Sequence, residues 1–176
     1  MSMITIKGSH GTTASRVDNI RKSGWNYSRG RGGTGVYFWK ECEHYIQLAE
    51  GWYKYVCATK KYNGDKDLSC KIIIARLEAE EAEVLDFDNH RELKIYVYEI
   101  AKKYKIDYSD KRKLSALYDL FITELEKKKT VKYKIVTLEV APPPKEHCPW
   151  YPIVILGPPI CCAVRDKNCI TITDVI

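Results

Sequence analysis

Two short motifs in the first forty residues carry side chains that could bind a flat ring bearing an amide. The first is His10-Gly11-Thr12, at the end of an apolar strand that begins with Met3-Ile4-Thr5-Ile6. The second, over residues 33–39, places Tyr37 in an apolar strand entered through glycines. A glycine leaves its backbone N–H and C=O groups open to an amide, and a tyrosine ring offers a large stacking face. These residue types therefore predict a pocket for a planar, amide-bearing ligand.

The order and spacing of the motifs resemble the diphtheria-toxin-like and poly(ADP-ribose)-polymerase-like ADP-ribosyltransferases. The nicotinamide pocket of that family combines a His-Gly-Thr/Ser strand with a Gly-x-Gly-x-Tyr-Phe strand. The resemblance implies that NAD is the substrate, that His10 hydrogen-bonds a ribose hydroxyl, and that Gly11 backbone atoms hold the nicotinamide amide. It also implies that Tyr37 stacks on the nicotinamide ring and that Gly35 allows close approach of NAD. Thr12 would support the turn or cap the following helix.

Residues 26–33 form a polar, glycine-rich loop between the motifs, and two interpretations stay open. In one, the segment is a flexible, solvated loop. In the other, Ser28, Arg29 and Arg31 contact the pyrophosphate of NAD. Guanidinium groups bind phosphate in a bidentate manner, and neighbouring glycines let backbone donors turn inward.

A third position that the family resemblance implies carries a different residue in this chain. In the family a Glu, or in some members a Gln, begins the strand before a charged turn and stabilises the oxocarbenium-like transition state. The corresponding residue here is Cys161, whose neutral thiol offers neither charge nor strong hydrogen bonds. Glu139, on another predicted strand, and Asp166 are the candidate substitutes. Without a substitute, the chain would bind NAD and would not transfer ADP-ribose.

The seven cysteines do not form a disulfide framework, because their number is odd and their spacing is irregular. Reduced thiols and an N-terminus without a signal-peptide pattern predict a cytoplasmic protein. Cys148, Cys161, Cys162 and Cys169 with His147 lack the paired spacing of a zinc site, so we expect no metal. A Cys–His protease is disfavoured as well, because no residue is placed to orient the base.

The formal net charge is +6, and the basic residues cluster in residues 16–31, 102–113 and 127–134. These clusters are either solvated surfaces or an approach surface for phosphates. No apolar run reaches the length of a membrane span, so no membrane partner is expected. The predicted partners are NAD, a macromolecular acceptor that is protein or nucleic acid, and an antitoxin or regulatory protein implied by the family resemblance.

Periodicity along the chain predicts the elements that would position these groups. Helical spacing of apolar residues predicts helices over residues 14–23, 41–53, 91–105 and 110–128, with Gly24 and Asp110 as caps. Apolar or alternating runs predict strands over residues 3–6, 35–39, 70–77, 132–140, 153–156, 160–164 and 169–175, the last two as a hairpin. The predicted fold class is α+β, with one domain over residues 1–176. By resemblance it has the split antiparallel sheet of ADP-ribosyltransferases, flanking helices and an inserted helical pair.

The sequence thus predicts an NAD-dependent ADP-ribosyltransferase acting on a macromolecular acceptor. The family resemblance adds the role of a toxin or of an effector in conflict between phage and host. Two alternatives stay open: a module that binds NAD or ADP-ribose without catalysis, and a protein-interaction domain with an aromatic surface. Core packing explains most of the aromatic residues equally well.

Overall fold

The computed structural model describes residues 2–107 and 109–176 and has mixed α+β content, as the sequence predicts. Its helices are α1 (Ala14–Ser23), α2 (Tyr45–Ala58), α3 (Arg91–Lys103), α4 (Lys111–Lys129) and α5 (Ile153–Leu156). Its strands are β1 (Met3–Thr13), β2 (Ser28–Gly30), β3 (Gly33–Lys40), β4 (Cys70–Glu80), β5 (Val84–Asp86), β6 (Ile135–Glu139), β7 (Ile160–Val164) and β8 (Ile170–Val175). Within the described ranges, no helix combines the length and apolarity that crossing a bilayer requires.

The strands form a mostly antiparallel sheet in the order β5-β6-β7-β3-β1-β4-β8, with β2 paired to the first residues of β3. Strand β1 pairs with β4 along its whole length, from Met3 to Thr13. By contrast, β1 pairs with β3 only at Gly8 and Ser9. The two strands therefore separate toward the C-terminal end of β1, and the sheet is split there.

Among the described residues, three clusters of buried side chains lie on the two faces of the sheet, because successive strand residues point to opposite sides. Val36 and Phe38 belong to the core beneath α1. Tyr37 packs against the core beneath α3 and α4, and Trp39 belongs to the core beneath α2. The predicted alternation, with Val36 and Phe38 on one face and Tyr37 on the other, is confirmed.

Capping interactions explain where two of the helices begin and end. The hydroxyl of Thr13 accepts a hydrogen bond from the N–H of Arg16 at 3.2 Å, which caps the start of α1. Helix α1 ends at Gly24, whose φ of +78° is a conformation that glycine adopts without strain. Helix α4 begins after Asp110, whose carboxylate accepts from the N–H of Arg112 at 3.0 Å. Both predicted caps, Gly24 and Asp110, are confirmed.

Two local predictions are wrong because tertiary pairing overrides the local pattern. Residues 26–33 are not simply a loop, since Ser28–Gly30 is a strand that pairs with the start of β3. The two strands are joined by a tight turn that requires a positive φ, +119° at Gly32 and +87° at Gly33. The apolar run Ile153–Leu156 is a short helix rather than a strand, and its side chains are exposed.

The predicted hairpin of the last two strands is also wrong. Strand β7 lies inside the sheet, where β3 and β6 pair with its two edges. Strand β8 pairs with β4 at the far end of the sheet. Because both edges of β7 are already occupied, the chain must cross to the free edge of β4 instead of folding back. A 3₁₀ turn over Lys167–Cys169 begins that crossing.

The difference in burial between two leucines predicts how much each Leu→Ala substitution lowers the stability of the fold. Leu77 on β4 is fully buried, whereas Leu120 on α4 is 59% exposed. Leu77→Ala should lower the free energy of unfolding by about 2–5 kcal/mol, because it removes buried surface and leaves a cavity. Leu120→Ala should change it by less than about 0.5 kcal/mol. Urea unfolding followed by circular dichroism measures both values, and equal losses would contradict the assignment of Leu77 to the core.

Candidate functional site

The candidate site lies where β1 and β3 separate. Ser9 pairs with Trp39 at the last point of contact between the two strands. Two residues further along this antiparallel ladder, Gly11 and Tyr37 would be the next hydrogen-bonded pair. Instead, Nδ1 of His10 lies 2.8 Å from the carbonyl oxygen of Tyr37. A side chain thus occupies the acceptor that would otherwise continue the sheet.

Neighbouring hydrogen bonds determine where the backbone groups of Gly11 point. Ile72 lies opposite Gly11 on β4, and both its N–H and its C=O bond to Ile176 at 2.9 Å. Those bonds point away from β1, so Gly11 and Ile72 form a non-hydrogen-bonded pair. The N–H and C=O of Gly11 therefore point toward β3, at a level where β3 has already separated from β1.

Glycine is required at position 11 because helix α2 lies directly on it. A Cβ atom there would be 2.0 Å from the carbonyl oxygen of Ala49 and 3.3 Å from Cβ of Tyr53. The ring of Tyr62 stacks on that of Tyr53, with 6.0 Å between centroids. Thr12 is buried next to the hydroxyl of Tyr62. Tyr53 and Tyr62 were not anticipated from the sequence, although their aromatic character is a signal for a ring-binding site.

The imidazole of His10 is held in a neutral state by its surroundings. Its ring lies 5.3 Å from Trp25, edge to face, and 5.7 Å from Phe38. Burial lowers the pKa of His10, and the positive charge of Arg16 lowers it further. Because a carbonyl oxygen can only accept, Nδ1 donates to Tyr37 and Nε2 of the neutral ring is an acceptor. Among the residues that the structure describes, none donates a hydrogen bond to Nε2.

The side chain of Tyr37 lies on the opposite face of the sheet from His10. Its hydroxyl donates to the carbonyl of Gly33, and Gly30 lies against the ring. A Cβ on Gly30 would be 2.8 Å from Cζ of Tyr37. Burial raises the pKa of the Tyr37 hydroxyl, which therefore stays protonated. The structure thus brings the main chain of Tyr37 to His10, while the ring lies under the β2–β3 hairpin.

The other residues implied for NAD binding lie on that hairpin. The hydroxyl of Ser28 donates to the carbonyl of Gly35 at 3.3 Å, so these two residues are adjacent. Arg29 is exposed opposite Thr34. Arg31, at the turn, lines a cavity between α3 and α4. The structure therefore brings Ser28 and Gly35 together, whereas Arg31 lies at the cavity between α3 and α4.

A carboxylate that was not anticipated from the sequence fixes the hairpin in place. Asp119 on α4 accepts hydrogen bonds from the N–H of Thr34 at 2.9 Å and from its hydroxyl at 2.7 Å. It also pairs with Nη1 of Arg165 at 2.6 Å. Gly33 allows this approach, since a Cβ there would be 2.3 Å from Oδ1 of Asp119. No sequence pattern indicates the role, because a polar residue in an amphipathic helix is ordinarily solvated.

An ion pair lies beside the C-terminal end of β1. Nε of Arg16 lies 2.8 Å from Oδ2 of Asp65, and the guanidinium lies 4.4 Å from the ring centroid of Tyr62. The hydroxyl of Thr13 donates to the same carboxylate at 2.6 Å. Desolvation raises the pKa of Asp65, but the hydrogen bonds from Arg16 and Thr13 outweigh it and keep the pKa below its usual value. Asp65 is therefore ionised and engaged beside the His strand.

The third position implied by the family resemblance contains no charge. Cys161 is buried on β7, opposite Trp39 on one side and Leu138 on the other. Burial raises the pKa of its thiol, which therefore stays protonated at neutral pH. Cys161 lies close to the split, but it can supply neither a negative charge nor a strong acceptor.

The two candidate substitutes lie away from the split. Glu139 is on β6, which pairs with the edge of β7 that faces away from β3. Its Oε2 lies 3.8 Å from Nζ of Lys94. Asp166 accepts from the N–H of Asn168 at 3.0 Å and caps a 3₁₀ turn. The structure therefore brings neither carboxylate to His10.

The seven cysteines are free thiols. Within residues 2–107 and 109–176, no cluster of three or more His, Cys, Asp or Glu side chains is arranged to hold a metal ion. Comparison of the chain with protein-family models, with curated proteins and with solved structures finds no match. The case for a function therefore rests on the geometry of the split.

The neutral state of His10 predicts a specific pH dependence of stability. Its pKa is lower in the folded protein than the value of about 6.5 expected when unfolded. Below about pH 6.5 the unfolded chain binds more protons, so stability is lost as the pH falls. His10→Asn keeps a donor near the position of Nδ1 and cannot ionise, so it should lose less stability on acidification. The difference should reach up to about 1.4 kcal/mol per pH unit.

Urea unfolding of both proteins between about pH 7.5 and pH 5.5 measures this difference. The other three histidines cancel in the comparison because both proteins contain them. Identical pH dependence in the two proteins would show that His10 titrates at its ordinary pKa.

Proposed function

We propose that the chain is an NAD-dependent ADP-ribosyltransferase whose NAD site is the split between β1 and β3. The observation that supports it most directly is the His10–Tyr37 hydrogen bond, beside which the N–H and C=O of Gly11 point toward the split. Those two groups complement the carboxamide of nicotinamide, which has one acceptor oxygen and two donor hydrogens. The family resemblance implies the same residues for the nicotinamide end of NAD.

The remaining contacts can be assigned by the chemistry of each group. Nε2 of His10 is an acceptor without a partner among the described residues, so it would accept from a hydroxyl of the nicotinamide ribose. The ring of Tyr53 is partly exposed and stacks on the buried ring of Tyr62. Because Tyr53 lies next to Gly11, it offers aromatic surface on the side of α2. Ser28 and Gly35 lie next to Tyr37 on the hairpin and would contact the outer part of NAD.

The proposed reaction replaces one bond to the anomeric carbon of the ribose with another. The bond between C1′ and the nicotinamide nitrogen breaks, and nicotinamide leaves with the electron pair. A lone pair of the acceptor forms the new bond to C1′, and the acceptor's proton passes to solvent. His10 would orient the ribose by accepting from its hydroxyl, and Gly11 would hold the leaving group in place.

One observation favours a second function, which is binding of NAD without transfer. An oxocarbenium-like transition state is stabilised by nearby negative charge. Cys161 is buried and protonated, and the ionised carboxylate beside the His strand, Asp65, is already engaged by Arg16 and Thr13. Measuring NAD binding and nicotinamide release separately distinguishes the two functions.

NAD and nicotinamide at millimolar concentration should both raise the melting temperature of the wild-type chain, because a ligand that binds only the folded state stabilises it. His10→Asn removes the acceptor Nε2 and should reduce the shift caused by NAD more than the shift caused by nicotinamide, which has no ribose. His90→Asn is the matched control, since His90 is at the start of α3 and its ring pairs with Glu92. Differential scanning fluorimetry measures the shifts that both compounds cause in all three proteins. A wild-type melting curve that neither compound moves would refute the site.

The transfer step is tested by incubation with NAD labelled in its adenylate part. A transferase should release free nicotinamide and place the label on a protein, RNA or DNA fraction of a cell extract. Glu139→Gln should leave both signals unchanged, because the carboxylate of Glu139 faces Lys94 on the far side of β7. Loss of both signals in a folded Glu139→Gln variant would assign the catalytic acid to that residue. An NAD-dependent melting shift with no nicotinamide release would identify the chain as a binding module.

A further inference from the structure

A cavity of about 240 Å³ lies on the α3–α4 side of the sheet, apart from the split. Cations, tyrosines and aliphatic side chains line it: Arg31, Lys94, Val97, Tyr98, Leu114 and Tyr118. Phe87 packs against Tyr118, with 5.3 Å between ring centroids, and holds that aromatic wall in place. Pockets for larger ligands measure about 300–1,000 Å³. The cavity therefore has room for one ring system rather than for a whole dinucleotide.

Only part of the positive charge of the cavity is neutralised. Lys94 pairs with Asp88 and lies 3.8 Å from Glu139. Arg31 is exposed and forms no ion pair with any residue that the structure describes. A guanidinium group without a carboxylate partner is well suited to bind a phosphate.

Further basic residues lie near the cavity-lining residues on α3 and α4. Residues four apart lie on one face of a helix, so Lys94, Tyr98 and Lys102 form a row on α3. On α4, Lys111 lies three residues before Leu114, which lines the cavity. Arg31 and Lys94 line the cavity, and Lys102 lies one turn beyond Tyr98 on α3. Lys111 lies one turn before Leu114, with its ammonium group 5.9 Å from the ring centroid of Trp52 on α2.

The connection between α3 and α4 has more cations than its carboxylates can neutralise. The exposed basic residues in the connection and on the adjoining turns of the two helices are Lys102, Lys103, Lys105, Lys111, Arg112 and Lys113. The carboxylates of Asp107 and Asp110 accept from backbone N–H groups of Ser109 and Arg112. Lys113 lies 3.7 Å from Asp110, at the long end of the range for an ion pair. This part of the surface is therefore electropositive.

We propose that the α3–α4 surface binds single-stranded nucleic acid. One base would enter the cavity against Tyr98 and Tyr118, and the phosphates on either side would contact Arg31, Lys102 and Lys111. Aromatic rings alternating with cations are the usual means of binding single strands, because every base has a stacking face and every linkage a phosphate. An acidic peptide would engage the cations but would leave the aromatic cavity unfilled.

The residues proposed to bind the strand differ from those proposed to bind NAD. Transfer of ADP-ribose to a bound strand would make nucleic acid the acceptor, and that step alone rests on the proposed function. Binding of the strand does not require it. The two proposals can therefore fail separately.

Fluorescence anisotropy with labelled oligonucleotides of about 12 nucleotides tests the surface, because sites of this kind cover about 4–16 nucleotides. Oligo(dT), oligo(rU) and a DNA duplex of equal length are the probes. The full-length chain should bind at least one single strand more tightly than the duplex. Tyr98→Ala should weaken that binding roughly ten-fold, the effect of losing one stacked base.

Charge is tested with two double variants of equal net charge. Lys102→Gln with Lys111→Gln should reduce the slope of log affinity against log salt by roughly 1.4, since each phosphate contact on a single strand contributes about 0.7. Lys128→Gln with Lys129→Gln, at the other end of α4 and about 26 Å from Lys111, should change it much less. Neither pair should alter the melting shift caused by NAD.

Three results would overturn the proposal. They are absence of binding to both single strands, equal affinity for the duplex, and equal effects of the two double variants. A preference for oligo(rU) or oligo(dT) identifies the strand as RNA or DNA. If Tyr98→Ala does not fold, the comparison of the two double variants still decides the outcome.

Discussion

The sheet opens at one place because a histidine side chain takes the hydrogen-bond acceptor that a neighbouring strand would have used. Nδ1 of His10 donates to the carbonyl of Tyr37, and the ladder between β1 and β3 stops at the pair of Ser9 and Trp39. Strand β1 stays ordered beyond this point because β4 pairs with all of it. The opening is therefore a stable feature of the sheet and not a frayed end, and it leaves polar backbone groups of Gly11 facing a gap.

The groups that surround the gap are mostly uncharged. His10 is neutral, Cys161 and Tyr37 are protonated, and the nearest ionised pair, Arg16 with Asp65, is at the end of β1. Recognition at such a site depends on the direction of hydrogen bonds and on ring contacts rather than on attraction between charges. A cluster of exposed cations lies elsewhere, around the connection between α3 and α4. The uncharged groups around the split and the cluster of cations thus lie on different parts of the molecule.

Periodicity predicted the four longer helices and most strands, because each buries a face whose spacing can be read locally. The bounds of α2 were predicted less well, since the helix spans Tyr45–Ala58 rather than residues 41–53. Helix α1 and the caps Gly24 and Asp110 agree with the structure for that reason. The roles of Asp119, Tyr53 and Tyr62 could not be predicted, because each depends on contacts with residues distant in sequence. The pairing of β7 and β8 was predicted wrongly for a similar reason. A charged turn between two apolar runs does not specify which strand edges are free. His10 and Gly11 could be proposed from the sequence because the His-Gly-Thr motif is local and lies at the end of an apolar strand.

The bond between Asp119 and Thr34 joins residues 85 positions apart and holds the hairpin that covers Tyr37. Closing so long a loop is entropically costly until the intervening elements have formed. We therefore expect the hairpin to be among the last parts of the domain to become ordered during folding. For the same reason, partial destabilisation of α4 would loosen the hairpin while the central strands persist. A chain with a native-like sheet could then still lack an ordered hairpin over Tyr37.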